Sequence, residues 1–251
     1  MTGSGKYIRN LTAWLMAATI AFVLALLPLS TTYAAGLEET SWKARSGNPQ
    51  AQYELGERYM EGRGVRKNVG KALHWWREAA KRRHAKSHYS IGMLYLEGKG
   101  LPVDHKKAAG WLARAAKLKH AESQFLLAGL YASGVGVERD NTKMAYWLGK
   151  AAASGHIEGQ YQSAQLYITG TLLEQDVSRG LNYLRTAAGN DHAQAQMLLG
   201  HYYYSGEYFE ADLDKAVYWL KRADAQGVED AIYLLNAIYS EFPDMQTANG
   251  H

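Results

Sequence analysis

The chain has 251 residues, no cysteine and a formal net charge of +4. The lack of cysteine excludes disulfides, a thiol nucleophile and cysteine-ligated metal sites. Two basic residues, Lys6 and Arg9, stand near the start, which leaves 26 of the 28 basic residues against 24 acidic ones in the rest of the chain. This excess is too small for a dedicated nucleic-acid binder, so we expect no nucleic-acid partner.

Residues 1–34 are predicted to form a signal peptide or an N-terminal membrane anchor. Lys6 and Arg9 precede an uncharged apolar stretch over residues 11–29, and Thr32-Tyr33-Ala34 supplies small residues at the −3 and −1 positions of a cleavage site after Ala34. This 19-residue stretch is close to the length of a membrane span, so we expect membrane association through residues 11–29 if the segment is not cleaved. The charge pattern places the rest of the chain outside the cytoplasm, either periplasmic or secreted after cleavage or anchored in the inner membrane.

From residue 49 the sequence repeats itself every 36 residues. The tyrosines of this pattern are Tyr59, Tyr95, Tyr131, Tyr167, Tyr203 and Tyr239, and the glycines are Gly62, Gly98, Gly134, Gly170 and Gly206. A fixed period between about 20 and 50 residues is typical of a solenoid built from one repeated unit. We expect a capping segment over 35–48, repeats at 49–84, 85–120, 121–156, 157–192 (divergent) and 193–228, a half repeat at 229–242 and a flexible tail at 243–251.

The first helix of each repeat is predicted to end at the turn glycines. In the first repeat, Ala51, Leu55 and Tyr59 share one face by helical spacing, and Gly56 beside them suggests a close approach of the next helix. Gly62 begins a Gly-rich stretch that lacks the spacing of a phosphate-binding loop. These glycines are therefore interpreted as a turn in which the backbone takes positive φ.

The second helix of each repeat has an apolar face. Ala72, Trp75, Trp76, Ala79 and Ala80 follow helical spacing. The position of Trp75 is occupied in the later repeats by Trp111, Trp147, Tyr183 and Trp219. Asn68, Asp104, Asp140, Asp176 and Asp212 precede these helices and are predicted to cap them.

The frame A-x-Y-x-L-G-x-x-Y-x-x-G-x-G-V-x-x-N-x-x-K-A-x-x-W-x-x-x-A-A over residues 51–80 resembles the Sel1-like repeat, a relative of the tetratricopeptide repeat. The resemblance implies a right-handed α-solenoid of antiparallel helix pairs that acts as an adaptor for other proteins, often in bacterial envelope or signalling systems. Ser163, Leu172 and Tyr208 depart from the frame. We therefore expect the turns at 170–175 and 206–211 to differ in shape from the others.

Four histidines, His84, His120, His156 and His192, are also 36 residues apart. Successive layers of packed helices are about 8–10 Å apart, so these side chains cannot share one metal ion. We expect them to cap the helix that precedes each of them, and we predict no metal and no cofactor. The sequence also lacks the GxSxG, SxxK and HExxH motifs, which argues against an enzyme.

The pattern therefore favours a non-catalytic scaffold of the bacterial cell envelope that binds a partner protein. The alternative is a periplasmic hydrolase or a protein that binds a small ligand or peptidoglycan on the same fold. Candidate partner-binding residues are those that vary on the first-helix face, although this stripe is as compatible with core as with a groove. They are Glu57, Met93, Gln165, His201 and Tyr204.

The charge distribution adds a second set of candidates. Residues 62–86 contain nine lysines or arginines and one glutamate, whereas residues 200–251 contain nine acidic residues and three basic ones. Arg63, Arg66 and Lys67 are candidates for attracting an acidic partner or an anionic surface; the simpler interpretation is that the charges form solvated helix faces.

Overall fold

The computed structural model describes residues 36–245, and within this range every regular element is an α-helix. The predicted signal peptide or anchor and residues 246–251 of the predicted tail lie outside the described range. Helix α1 includes residues 36–45. The helices that follow are α2 (Pro49–Glu61), α3 (Val69–Lys81), α4 (Ala85–Glu97), α5 (His105–Lys117), α6 (Ala121–Ser133), α7 (Asn141–Ala153), α8 (Ile157–Thr169), α9 (Val177–Gly189), α10 (Ala193–Ser205), α11 (Leu213–Asp224) and α12 (Glu229–Glu241).

The helix contacts divide the chain into two compact units, with the boundary between Ile91 and Gly92 inside α4. In the first unit, Ala44, Ala51 and Leu55 form a buried cluster. In the second unit, the equivalents of Leu55, Leu199 and Leu235, belong to further buried clusters together with second-helix residues such as Leu220. The core of each unit therefore follows the sequence repeat.

Each helix pair is joined by a turn that is fixed at both ends. The predicted caps are confirmed: Asn68 Oδ1 accepts a hydrogen bond from the Lys71 amide at 2.9 Å, and the four aspartates do the same in the later repeats. The cap residue also donates its own amide to the tyrosine carbonyl of the preceding helix, as Asn68 does to Tyr59 at 2.8 Å. The tyrosine position, half-buried in all five repeats, thus joins the two helices of its repeat.

The turn glycines have the left-handed backbone that the sequence predicts, with φ between +70° and +81° at the position of Gly62 in all five repeats. The next glycine of the frame, Gly64, is also left-handed at +72°, and Leu172 keeps this conformation at +65° without being a glycine. Tyr208, at the equivalent position, lies outside the left-handed region. The expectation of a different turn is therefore wrong for Leu172, because the backbone there retains the shape despite the Cβ.

The small residues of the first helices allow close packing, as predicted. A Cβ added at Gly92 would lie 2.8 Å from Leu112 Cγ, and one added at Gly200 would lie 2.7 Å from Leu220 Cγ. The column of large buried side chains on the second helices is one residue beyond the tryptophan position. It consists of Trp76, Leu112, Leu148, Leu184 and Leu220. The residues at the position of Trp75 are half-buried, so they cover this column rather than form it.

Candidate functional site

Each of the four periodic histidines caps the helix that follows it. Nδ1 of His156 accepts a hydrogen bond from the Gly159 amide at 3.0 Å, and Nδ1 of His192 accepts one from the Ala195 amide at 3.1 Å. His84 and His120 do the same for α4 and α6 at 3.3 Å. The prediction that their side chains cap the preceding helix is therefore wrong.

The backbone explains this difference. The residue before each histidine has positive φ, for example +86° at Gly155 and +61° at Asp191, so the chain has already turned away from the preceding helix. The main-chain amide of the histidine closes that helix instead, as His156 does by donating to the Ala151 carbonyl at 3.0 Å. The imidazole is then free to cap the next helix from an extended N-cap residue.

The imidazoles also fill the junctions between repeats. His156 stacks on Phe125 with ring centroids 4.2 Å apart, and His192 stacks on Tyr161 at 4.5 Å. Because Nδ1 accepts a hydrogen bond, the proton is on Nε2. Nε2 of His192 donates to Glu158 Oε2 at 2.7 Å. Burial raises the pKa of Glu158, but its hydrogen bonds with His192 and Gln162 outweigh this effect and leave the pKa below its ordinary value.

The junction between α10 and α12 lacks both the histidine and the aromatic residue of this stack. Val228 is the N-cap residue of α12 and makes no side-chain capping hydrogen bond. Met197 stands where Phe125 and Tyr161 stand in the earlier repeats. A groove of about 500 Å³ lies at this junction between α10 and α12. It is lined by Met197, Leu198, His201, Asp230, Tyr233, Leu234 and Ala237.

The groove has an apolar floor and a partly polar rim. Met197, Leu198 and Leu234 are half-buried, and Met197 and Leu234 pack against the buried cluster of α11 and α12. Tyr233 is 71% exposed although it is a large aromatic residue. His201 and Asp230 are exposed at the rim. This arrangement can receive an apolar side chain and interact with a polar or charged group beside it.

The structure distributes the predicted first-helix residues over different environments. His201 lines the groove. Tyr204 packs against the same buried cluster and donates its hydroxyl to Glu241 Oε2 at 3.2 Å. Ile168, at the equivalent position two helices earlier in the pattern, is buried. The position of Tyr204 therefore contributes to the core of the second unit.

The other three candidates on this face lie outside the groove. Met93 is half-buried on α4, and Gln165 is exposed on α8. Glu57 is half-buried on α2, where burial raises its pKa and the neighbouring charge of Glu61 raises it further.

The basic candidates lie in the turn between α2 and α3. Arg63 forms an ion pair with Glu61. Arg66 and Lys67 line a polar cavity of about 470 Å³ together with Tyr59, Val65, Asn68 and Lys71. Lys71 was not among the residues predicted from the sequence, although its regular spacing after the cap residue is a signal that could have identified it.

The described residues also limit the chemistry of the chain. Among residues 36–245, no group of three or more histidine and acidic side chains is placed to hold a metal ion. In the same range, no helix combines the length and the hydropathy needed to cross a membrane.

Comparison with known proteins identifies the family. The Sel1 repeat model matches residues 49–84, 85–120, 121–156, 157–192 and 193–228, so the chain belongs to the Sel1 repeat family. No curated protein sequence matches the chain. The all-α, solenoid-like fold predicted from the sequence is confirmed. Sel1 repeat proteins are generally scaffolds for protein–protein interaction and are typically non-catalytic.

Two solved structures illustrate the similarity. A protective antigen of uropathogenic Escherichia coli with an SLR fold is 30% identical with a TM-score of 0.74, over 90% of this chain and 50% of that one. A Sel1 repeat protein from Oxalobacter formigenes is 26% identical with a TM-score of 0.70, over 86% of this chain and 89% of that one. The chain thus spans half the length of the E. coli antigen.

Proposed function

We propose that this protein is a non-catalytic adaptor that holds a segment of a partner protein in the groove between α10 and α12. The observation that carries the proposal is the open groove at the junction where Val228 and Met197 replace the histidine and the aromatic residue. Loss of a side-chain cap costs about 0.5–2 kcal/mol. The last junction therefore lacks an interaction that stabilises the earlier ones, and it presents an apolar surface in its place.

The shape and composition of the groove suggest what it receives. Its walls are two helices, with residues 197–201 on one side and 230–237 on the other. This is the length of about one to two helical turns, which suits one or two apolar side chains of a partner helix or extended segment. Met197 on the floor has an unbranched side chain that adapts to different partner shapes.

Only part of the predicted first-helix face belongs to this proposal. His201 contributes to the rim, and Tyr204 supports the wall from the core side. Glu57, Met93 and Gln165 would contribute only if the partner extends along the first helices of earlier repeats.

We also propose that the adaptor works outside the cytoplasm, in the bacterial cell envelope. This rests on residues 1–34, which lie outside the described range. Intact-mass measurement of protein from the envelope fraction checks it, with a mature chain expected to begin at Ala35. A mass that includes residues 1–34 would favour the anchored form, and recovery from the cytoplasm would contradict export.

The groove is tested by crosslinking in cells with a photoreactive amino acid at Ala237. The matched control places the same group at Gly129, which has the same place in the repeat as Ala237 and lies on α6, one turn beyond the Phe125 that stacks on His156; an added Cβ there meets no atom within 4 Å. A second variant, Met197→Tyr with Val228→His, rebuilds the stack and the cap that close the earlier junctions.

We expect one dominant crosslinked protein from Ala237, none from Gly129 and none from Ala237 in the rebuilt variant. The rebuilt variant should also unfold at a higher temperature, because it gains a cap. Equal crosslinking with and without the rebuilt stack would contradict the groove as the binding site. Absence of any protein crosslink would favour the small-ligand alternative.

A further inference from the structure

We propose that the turn between α2 and α3 is a second, separate binding site that takes the carboxylates of an acidic polypeptide segment. The site is the polar cavity of about 470 Å³ lined by Tyr59, Val65, Arg66, Lys67, Asn68 and Lys71. It lies in the first unit, whereas the groove between α10 and α12 lies in the second. The proposal does not depend on the function proposed for that groove.

The cavity is lined by donors that have no anionic partner. Within residues 36–245, Arg66, Lys67 and Lys71 form no ion pair. The acidic residues that flank these cations along the chain, Glu61 and Glu78, are paired with Arg63 and Lys81. The Oδ1 atom of Asn68 is used by the backbone of Lys71, and Lys71 Nζ lies 5.2 Å from the centre of the Tyr59 ring. The cations are therefore held around one concave surface without neutralisation.

The equivalent turns of three other repeats are neutralised internally. Lys107 Nζ lies 2.8 Å from Asp104, Lys143 Nζ lies 2.9 Å from Asp140, and Lys215 Nζ lies 2.7 Å from Asp212. In the first repeat the cap is Asn68, which keeps the capping hydrogen bond but carries no charge. This single difference in side-chain chemistry leaves Lys71 available to an external carboxylate.

The residue two positions before the cap also differs in charge between the first turn and the later ones. The position of Arg66 is occupied by Pro102 in the second repeat and by Glu138, Glu174 and Glu210 in the next three. The first turn thus carries a cation where three others carry a carboxylate. An acidic segment would be attracted to the first turn and repelled from the other three.

The form of the site favours a polypeptide over an anionic membrane. The cations surround a cavity with one wall formed by Tyr59 and Val65, and a cavity of this size receives one or two side-chain carboxylates. A flat membrane surface cannot enter such a cavity, whereas a single carboxylate side chain can. An acidic peptide can therefore place its charges among the cations of the cavity.

The test uses the purified full chain and a fluorescein-labelled hexaglutamate peptide, with binding followed by anisotropy at low salt. The decisive variant is Asn68→Asp, which restores the carboxylate of the other repeats and retains a good N-cap. We expect Asn68→Asp and Lys71→Ala each to weaken binding about two- to fivefold, the equivalent of one exposed ion pair. Added salt should weaken binding in the same direction.

Two controls make the result specific. Asp140→Asn frees Lys143 in a turn that has Glu138 beside it, and it should leave hexaglutamate binding unchanged. A labelled hexaglutamine peptide should not bind. Unchanged thermal midpoints of Asn68→Asp and Lys71→Ala will show that any loss of affinity is not a loss of folding.

Three results would overturn the proposal. The first is hexaglutamate binding that is equal in the parent chain, Asn68→Asp and Lys71→Ala. The second is no binding of hexaglutamate at low salt. The third is flotation of the protein with phosphatidylglycerol vesicles, sensitive to Lys71→Ala, without any peptide binding; this would assign the site to an anionic membrane.

Discussion

The junctions that precede α10 and α12 have the same place in the repeat but different contents. Before α10, His192 caps the helix, stacks on Tyr161 and donates to Glu158. Before α12, Val228 makes no side-chain cap, and the groove lined by Met197 lies beside it. The backbone pattern is retained while the side chains that fill the junction are replaced. This shows that the repeat can lose a stabilising stack without losing its helix.

The comparison also shows why a solenoid tolerates such a loss at its last junction. A repeat depends mainly on its immediate neighbours, so a weakened interface in the interior affects the helices on both sides of it. Within residues 36–245, the interface before α12 has only one helix beyond it. A binding surface is therefore less costly to the fold at α12 than at α10.

The largest expected effect tests this difference with two buried leucines, one in the interior of the array and one on α12. Leu184 is fully buried on α9, and Leu235 is 5% exposed on α12. We expect Leu184→Ala to cost about 4 kcal/mol of unfolding free energy and Leu235→Ala about 2 kcal/mol, because the end of the array can relax around the smaller side chain. Urea unfolding followed by circular dichroism measures both. Equal losses would mean that the end is packed as tightly as the interior.

The fold was predictable from the sequence because the residues that determine helix ends and buried faces recur at the same positions of each repeat. A single tyrosine or glycine is ambiguous, but the same residue at five equivalent positions determines where the helices end and which face is buried. The exact column was less accessible: the large half-buried Trp111 and the fully buried Leu112 are neighbours, and both lie near the apolar side of α5. Only the packing against Gly92 identifies Leu112 as the central residue.

The candidate sites depend on residues that depart from the repeat, and periodicity alone does not show which of these residues matter. His201 was predicted because it varies, but the groove depends on Val228 and Met197, whose significance becomes visible only when the stack at the other junctions is known. Lys71 was missed for the opposite reason. It follows the pattern, and what matters is the missing charge on its neighbour Asn68.

A medium effect is expected from opening an interior junction. His192→Val places at the start of α10 the residue type that Val228 supplies at the start of α12. It removes both the cap and the contact with Tyr161. We expect it to lower the unfolding free energy by about 1–2 kcal/mol. His192→Asn is the matched control, since asparagine can still cap the helix but cannot stack or reach Glu158 in the same way. It should lose less.

Thermal unfolding of the two variants side by side measures the separate contributions of the cap and the stack. If His192→Val is as stable as the parent chain, the stacked histidine is not a stabilising element. The open groove before α12 would then need no explanation in terms of stability given up for binding.

The smallest expected effect concerns a departure that has no proposed function. Leu172 occupies the turn after α8 with φ at +65° and is 48% exposed, so its side chain contributes little packing to offset the strained backbone. We expect Leu172→Gly to raise the unfolding free energy by about 0.5–1 kcal/mol, because glycine takes positive φ without a Cβ clash but loses more backbone entropy. Leu172→Ala retains the Cβ and should give no gain. A denaturant midpoint that rises equally in both variants would assign the gain to removal of an exposed leucine and not to the backbone.

Leu172→Gly should also leave crosslinking at Ala237 unchanged, whereas Met197→Tyr with Val228→His should remove it while increasing stability. This contrast separates a departure from the repeat that only strains the fold from one that creates a binding surface.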